Sequence, residues 1–305
     1  MACSPLPPGT LWPAVVRQAS HALACGALRP IETTASVIDD AGVRFLVRQV
    51  SSLARKESAR QQCVAGAGRA QADPFLPCDP DLVIGAISDD HLAVLNKFSV
   101  IDYHLLIVTR RFAPQEALLT VADFSALLAC MAEYPCLGFY NGGQLAGASQ
   151  PHKHLQTVPL TAEGPPLPIA PLLASAFTRT GVPCMVPGLD FAHAYMALDL
   201  KGVPAGERAR IACERYRELL GTAGLGTVEV AGELHQSAPY NLLVMQEGML
   251  LVPRCAGAVE GVALNALAYA GTLFVRDAAQ MHTVEQLGPM TMLRRAAGVA
   301  RPNEA

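Results

Sequence analysis

Two histidines and a glutamine occupy alternate positions in His152-Lys153-His154-Leu155-Gln156, directly after Gly147-Ala148-Ser149-Gln150-Pro151. Alternate residues of an extended strand share a face, so the two imidazoles and the amide of Gln156 are expected to project together. The glycine-rich approach lets backbone N–H groups close on an anion as a nest, and Ser149 and Gln150 add side-chain donors. A neutral imidazole beside such a nest can attack phosphorus and hold the transferred group as a phosphoramidate. The second imidazole then shapes the site or bonds to phosphate oxygens. Gln156 can hold a non-bridging oxygen without offering a base that would activate water. A His-x-His pair alone suits a metal site or a structural role equally well, and a Gly-rich loop alone is usually a turn. Their union in one short stretch ending in Gln is what points to phosphorus chemistry.

A strand over 152–160 needs partners and a scaffold. Cys136–Tyr140 reads as a strand and Asn141–Gln150 as a Gly-rich loop. Gly42–Val50 alternates apolar and polar residues, and Asp81–Ile87, His91–Phe98 and His104–Arg110 are β-rich. Thr120-Val121-Ala122-Asp123 has the form of a capping box that opens a helix running to about Tyr134. The first forty residues read as helix and then turn, with Pro30 breaking the run. Residues 56–73 read as a polar loop, and Pro74, Pro77 and Pro80 as a stiff extended entry to the next strand. Glu163–Pro171 reads as a linker. A short helix, a strand near Phe191–Leu198 and a helix from about Gly206 to Leu220, stopped by Gly221, follow. Asn241–Gln246 and Met249–Val252 flank Glu247-Gly248 as a hairpin, and the chain from about Val262 reads as mostly helical. This order predicts an α+β fold with a mainly antiparallel sheet and flanking helices. It divides the chain into a catalytic part over 1–162, a Pro-rich linker region over 163–179 and a second part over 180–305. These form one compact unit.

Composition narrows the partners. With 305 residues, 51% of them hydrophobic and 16% charged, the chain can bury a large core. A net charge of −3 gives no support for a nucleic-acid binder, but a small polyanion needs only a few well-placed donors. Four of the basic residues are lysines, Lys56, Lys97, Lys153 and Lys201, and two of these fall inside the segments singled out here. The nine cysteines form no C-x-x-C pair, which argues against a zinc ribbon or a redox dithiol and fits a reducing compartment. No apolar run is long enough to span a membrane and the N-terminus does not read as a secretory signal, so a cytoplasmic protein is expected, a monomer by default.

The run Gly-Ala-Ser-Gln-Pro-His-Lys-His-Leu-Gln over 147–156 resembles the signature of the ATP adenylyltransferases, or diadenosine tetraphosphate phosphorylases, of the histidine-triad superfamily. The likeness extends over nearly the whole chain. Upstream it includes 42–48, 74–77, 91–98 and 104–110, and downstream Tyr240–Val244, Val252-Pro253-Arg254 and the stretch Asn265–Val275. Two departures stand out: Asp73 precedes Pro74-Phe75 where an Asn is usual, and Ala268-Tyr269-Ala270 replaces a more typical Gly-Phe-Ala.

The resemblance implies a histidine-triad-like fold and names His154 as the nucleophile that takes an adenylyl group. It gives Gln156, in place of the triad's third histidine, a bond to the α-phosphate, and His152 a supporting role. It implies that Asn141 and the loop Gly147, Ala148, Ser149 and Gln150 hold phosphates and ribose, and that Asn96, Lys97 and Lys56 also contact the nucleotide. Arg254 is expected as a second-half phosphate ligand, and Mg²⁺ as an ion bound with the nucleotide. The implied reaction is reversible phosphorolysis of diadenosine tetraphosphate to ATP and ADP. A related transferase acting on a sugar phosphate or a sulfate, and a nucleotide sensor with little turnover, are the alternatives. His91 and His104, at the starts of strands, are expected to be structural.

Overall fold

The computed structural model of the chain describes residues 4–50, 73–160, 167–176 and 181–298. Lys56, most of the expected 56–73 loop and much of the Pro-rich linker therefore lie outside the described residues. Helix α1 (Leu11–Cys25) leads to a hairpin of β1 (Thr33–Asp40) and β2 (Val43–Val50). Next come β3 (Val83–Ala86), β4 (His91–Leu95), β5 (Leu105–Thr109), α2 (Val121–Glu133), β6 (Cys136–Gly142), β7 (His154–Pro159) and the short α3 (Ala170–Ala174). The second half adds β8 (Ala194–Ala197), α4 (Ala205–Thr222), β9 (Thr227–Val230), β10 (Glu233–Gln236), β11 (Tyr240–Val244) and β12 (Gly248–Pro253). It closes with β13 (Ala258–Val259), β14 (Val262–Ala263), α5 (Ala266–Tyr269), β15 (Thr272–Val275), α6 (Ala278–Leu287) and α7 (Pro289–Ala296).

Both halves feed one eight-stranded sheet in the order β3-β4-β5-β7-β6-β11-β12-β8, antiparallel at every step. The fold is α+β, and the strand bearing His154 lies at the centre of the sheet. Strand alternation sorts the side chains into two layers. Leu105, Ile107, Tyr140, Leu155, Leu242 and Leu251 face one way and pack with α1, α2 and α4. Leu137, Phe139, Val158, Leu243, Leu250 and Val252 face the other way and pack under β2, β15, α5 and α7. His154 and Gln156 lie on this second face, where the apolar cover gives way to polar side chains.

Several expectations need correction. The segment 33–40 forms β1 rather than a turn. Its Thr, Ser and Asp residues leave it mostly exposed, so it shows no apolar alternation, and it is held by its eight-residue register with β2. The stretch around Pro74, Pro77 and Pro80 is turn-like rather than extended, with a cis peptide at Leu76–Pro77. Gly221 lies inside α4, whose capping residue is Ala223. A helical glycine costs about 1 kcal/mol, and buried Leu219 and Leu220 beside it pack into the core. The C-terminal stretch contains β15 as well as helices, and β15 pairs in parallel with β2.

The capping box on α2 forms as read, and its carboxylate does more than cap. Asp123 Oδ2 accepts from the Thr120 N–H at 2.7 Å and from the Thr120 hydroxyl at 2.8 Å, while Oδ1 faces His91 Nε2 at 2.9 Å. Lys153 Nζ approaches Oδ2 at 3.5 Å and donates to the Leu118 carbonyl at 3.0 Å. Lys153 thus points away from His154, and with His91 it ties α2 to β4 and to the entry of β7. Burial alone would raise the Asp123 pKa, but hydrogen bonds from His91 and Thr120 and the charge of Lys153 hold it below its ordinary value. A lowered folded pKa contributes stability that is present above the unfolded value and is lost as pH falls through the folded one. Asp123→Ala strips the cap and leaves a buried lysine unpaired, so urea unfolding is expected to show a loss of about 3–5 kcal/mol. Loss below about 1 kcal/mol would contradict the clamp.

Candidate active site

The central strands β6 and β7 separate just where the chemistry is expected. Their ladder runs from Cys136↔Pro159 to Phe139↔Gln156 and stops there. Beyond it β6 stays paired with β11 through Asn141↔Asn241, and β7 stays paired with β5 through Val108↔His154. The side chain of Gln115 fills the gap. Its Oε1 accepts from the His154 N–H at 2.9 Å, and its Nε2 donates to the Asn141 carbonyl at 2.9 Å and the His154 carbonyl at 3.3 Å. Gln115 is fully buried, and the Tyr140 hydroxyl donates to its carbonyl. One side-chain amide therefore replaces the missing rungs and props the sheet open. Nothing in the sequence marks Gln115 as more than a loop residue.

At the mouth of this opening, His154 Nδ1–H donates to the His152 carbonyl at 2.8 Å. That bond fixes the tautomer and leaves the Nε2 lone pair free. Burial pushes the His154 pKa below its usual value, so the ring is neutral near pH 7. The Phe75 ring packs against it with centroids 5.5 Å apart. His152 is not free in this way. Its Nδ1 faces Asp73 Oδ2 at 2.7 Å, and its Nε2 faces the Thr109 carbonyl at 2.8 Å and hydroxyl at 2.9 Å. With both nitrogens occupied, His152 shapes the turn before β7 and aims its carbonyl at His154. Asp73, where the resemblance leads to an expectation of Asn, is its partner.

Two relays converge on the site and end in amides held the same way. Asn96 Nδ2 donates to His104 Nδ1 at 3.1 Å, and His104 Nε2–H donates to Gln156 Oε1 at 2.9 Å. His104 is buried and its pKa is lowered to about 4, chiefly by desolvation, so the neutral ring serves as donor and acceptor at once. From the other half, Arg254 Nη1 donates to Asn241 Oδ1, and Asn241 Nδ2 donates to Asn141 Oδ1 at 2.9 Å. The Ala266 N–H adds a second bond to Asn141 Oδ1 at 3.0 Å. In both Gln156 and Asn141 the amide oxygen is engaged, and the NH₂ group makes no hydrogen bond among the described residues. Each is left as a neutral donor for an anion.

This arrangement corrects two expectations. Arg254 is buried, and its remaining donors reach the carbonyls of Ala296, Ala256 and Leu264, with the Tyr269 ring 5.1 Å from the guanidinium carbon. It braces Asn241 instead of presenting a free fork to phosphate. His104, expected to be structural, orients Gln156, whereas His91 is structural as expected. Asn96 acts on Gln156 through His104, and Lys97 is half-exposed, 3.7 Å from Asp79.

The loop after β6 offers fewer donors than its glycines suggest. The Gly147 N–H bonds to the Gln144 carbonyl at 2.9 Å and the Ala148 N–H to the Gly143 carbonyl at 3.2 Å. The backbone N–H groups of Ser149 and Gln150 make no hydrogen bond among the described residues. Gly147 has φ +94°, and a Cβ there would fall 2.6 Å from Asn265 Cβ, so the residue is required for the loop to pass the C-terminal half.

A histidine titration by NMR is expected to show His104 neutral down to about pH 4 and His154 titrating below 6.5. Because unfolded histidines bind more protons in that window, stability should fall as the pH drops from 6.5 towards 4. Gln115→Ala is expected to cost roughly 2–4 kcal/mol, since it leaves the buried N–H and carbonyl of His154 without partners and takes one of two donors from the Asn141 carbonyl. Unchanged denaturant midpoints would contradict its role as a prop.

Comparison with known proteins agrees with this architecture. The model for the Ap4A phosphorylase N-terminal domain matches residues 1–175, and the model for the ATP adenylyltransferase C-terminal domain matches residues 187–299. The chain is similar to Diadenosine 5',5'''-P1,P4-tetraphosphate phosphorylase 2 of Saccharomyces cerevisiae, at 26% identity over 80% of this chain and 79% of the relative. It is also similar to Protein APA1 of the same yeast, at 31% identity over 41% of each chain. Among solved structures, yeast Ap4A phosphorylase Apa2 in complex with Ap4A superposes with a TM-score of 0.73 at 21% identity, covering 94% of this chain and 97% of that one. Apa2 without a named ligand gives a TM-score of 0.75 over 97% and 96% of the two chains, again at 21% identity.

Proposed function

Since this chain belongs to the Ap4A phosphorylase family, we propose that it catalyses the reversible phosphorolysis of diadenosine tetraphosphate to ATP and ADP through an adenylyl-His154 intermediate. The observation that carries this reading is the bond from His154 Nδ1–H to the His152 carbonyl in a buried, neutral ring. It leaves Nε2 as an unprotonated nucleophile at neutral pH.

In the first step Nε2 attacks an α-phosphorus. The P–N bond forms as the bond to the bridging oxygen breaks, and ATP departs with that electron pair. In the second step an oxygen of inorganic phosphate attacks the same phosphorus, the P–N bond breaks and ADP leaves. The bonds exchanged are similar in energy, which suits a reversible transfer. The free NH₂ groups of Gln156 and Asn141 are suited to hold non-bridging oxygens as charge builds in each transition state. Being neutral, they neither repel the second phosphate nor deprotonate water. The Ser149 and Gln150 N–H groups are suited to the rest of the polyphosphate. A cavity of about 730 Å³ includes Ile101, Leu137, Val158 and Leu267 in its wall, and Val158 stands one step past Gln156 on the same face. Its size and apolar wall suit an adenosine.

Magnesium is proposed to arrive on the polyphosphate and neutralise the leaving group. The donors around His154 are amides and imidazoles, not the oxygen-rich set that holds Mg²⁺ by itself, and the nearby Asp73 carboxylate is engaged by His152. Lys97 is available to supply further charge. A cytoplasmic location is proposed on the strength of free thiols at Cys130, Cys136 and Cys213, all buried. Among the described residues no helix is long and apolar enough to cross a membrane. A monomer is proposed because one chain supplies both relays and the nucleophile.

Purified protein given diadenosine tetraphosphate, Mg²⁺ and phosphate is expected to form ATP and ADP in equal amounts, and only when phosphate is present. His154→Ala should lower this rate by more than about 10³-fold, in line with loss of a nucleophile. Gln156→Glu should lower it by about 10²-fold or more, since a carboxylate there repels the phosphate it replaces a donor for. AMP and ATP formed without phosphate would make the protein a hydrolase and overturn the reading.

A further inference from the structure

On the helical side of the molecule, away from the chemistry described above, three unlike metal-binding groups converge. His21 and Cys25 stand one turn apart on α1, and Asp81 lies in the turn that enters β3. The His21 nitrogen, the Cys25 sulfur and an Asp81 carboxylate oxygen all lie within 4.8 Å of one another. The site is assembled by other contacts rather than by these groups alone. Gln18, on the same face of α1, donates from Nε2 to the Asp81 carbonyl at 2.7 Å, and the Asp81 N–H bonds to Asp79 Oδ1 at 3.2 Å. Helix and turn are thus already fixed to each other, and His21 Nε2 already reaches Asp81 Oδ1 at 2.9 Å.

We propose that His21, Cys25 and Asp81 form a binding site for a borderline-soft divalent cation of the zinc class, with water completing a tetrahedron. A mixed nitrogen, sulfur and oxygen set selects such an ion over Mg²⁺ or Ca²⁺, which take oxygen ligands. Bond lengths of about 2.0–2.3 Å to a tetrahedral ion require ligand atoms roughly 3.3–3.7 Å apart. The observed spacing needs side-chain movement of about an ångström, and His21 and Cys25 are exposed enough to make it. On binding, the Cys25 thiol releases one proton to solvent as the metal–sulfur bond forms, His21 uses its Nε2 lone pair, and Asp81 uses its carboxylate.

The site has a route to the nucleotide side of the fold. Asp79, which caps the same turn, is the ion-pair partner of Lys97, and the Arg29 N–H just beyond α1 bonds to the Lys97 carbonyl at 2.8 Å. A bound ion cross-links α1 to that turn and braces the segment that carries Asn96 and Lys97. This differs in kind from the chemistry at His154, because no residue of that site is a ligand.

The test is a Co²⁺ titration of the chelator-treated full chain, with Zn²⁺ competition and melting curves alongside. The expected result is one equivalent of Co²⁺ with a thiolate-to-cobalt charge-transfer band, displaced by Zn²⁺, and a rise in Tm with Zn²⁺. Cys25→Ser should abolish the band, and His21→Ala should weaken binding by at least about tenfold. Cys255→Ser, which alters another exposed thiol, and His154→Ala should leave both unchanged. Metal-free Tm values of the Cys25 and His21 variants report whether they are folded, since both residues are exposed. A band that survives Cys25→Ser, an affinity unaltered by His21→Ala, or cobalt bound without the thiolate band would each overturn the proposal.

Discussion

The structure turns on a single buried amide. A β-sheet of this kind closes its backbone hydrogen bonds unless something prevents it, because an unpaired buried carbonyl or N–H costs about 1–3 kcal/mol. Gln115 supplies the missing partners for the His154 N–H and carbonyl and a second donor to the Asn141 carbonyl, so β6 and β7 can part at the centre of the sheet without that penalty. The opening lies at the centre of the eight-stranded sheet, with β11 holding one lip and β5 the other. A side chain placed there is held from both sides by paired strands, and positioning of reacting groups accounts for much of what such a site can contribute to rate.

The second feature of the site is its neutrality. A polyphosphate brings several negative charges, and fully buried cations aimed at it would themselves be costly to desolvate. This chain places amides and imidazoles around His154 and engages its buried charges with other protein groups. Asp123 and Lys153 sit behind the sheet, and Arg254 is absorbed by carbonyls and Asn241. Orientation then has to come from hydrogen bonding. Gln156 and Asn141 are each tied by their oxygen to a relay, one through neutral His104 and the other through Asn241 and Arg254. The two relays arise from opposite halves of the sequence, so the site exists only when both halves share the sheet.

How much of this could be read beforehand depended on whether the information was local. The alternation of His154, Leu155 and Gln156 and the capping box at Thr120 are properties of adjacent residues, and each holds. The strand β1 is not legible in the sequence because an exposed edge of Thr, Ser and Asp carries no apolar signal. His152 lies just before the strand, so its ring is set by Thr109 and Asp73 and not by the pleat. Gln115, His104 and Arg254 could not be assigned from spacing, since their partners lie on other strands. His104 meets Gln156 across β5 and β7, and Arg254 reaches Asn241 across β11 and β12. The overlap of two donors on one amide oxygen at Asn141 is likewise a fact of the folded sheet alone.

The central claim is that His154 carries the transferred group. Its most direct test is to mix the enzyme with diadenosine tetraphosphate without phosphate, digest under alkaline conditions that preserve phosphoramidates, and map the adduct by mass spectrometry. The account predicts one AMP on the peptide containing 152–156, localised to His154, formed with one ATP per enzyme and discharged as ADP when phosphate is added. ATP formed with His154 unmodified, or AMP found on His152 or His104 instead, would contradict it.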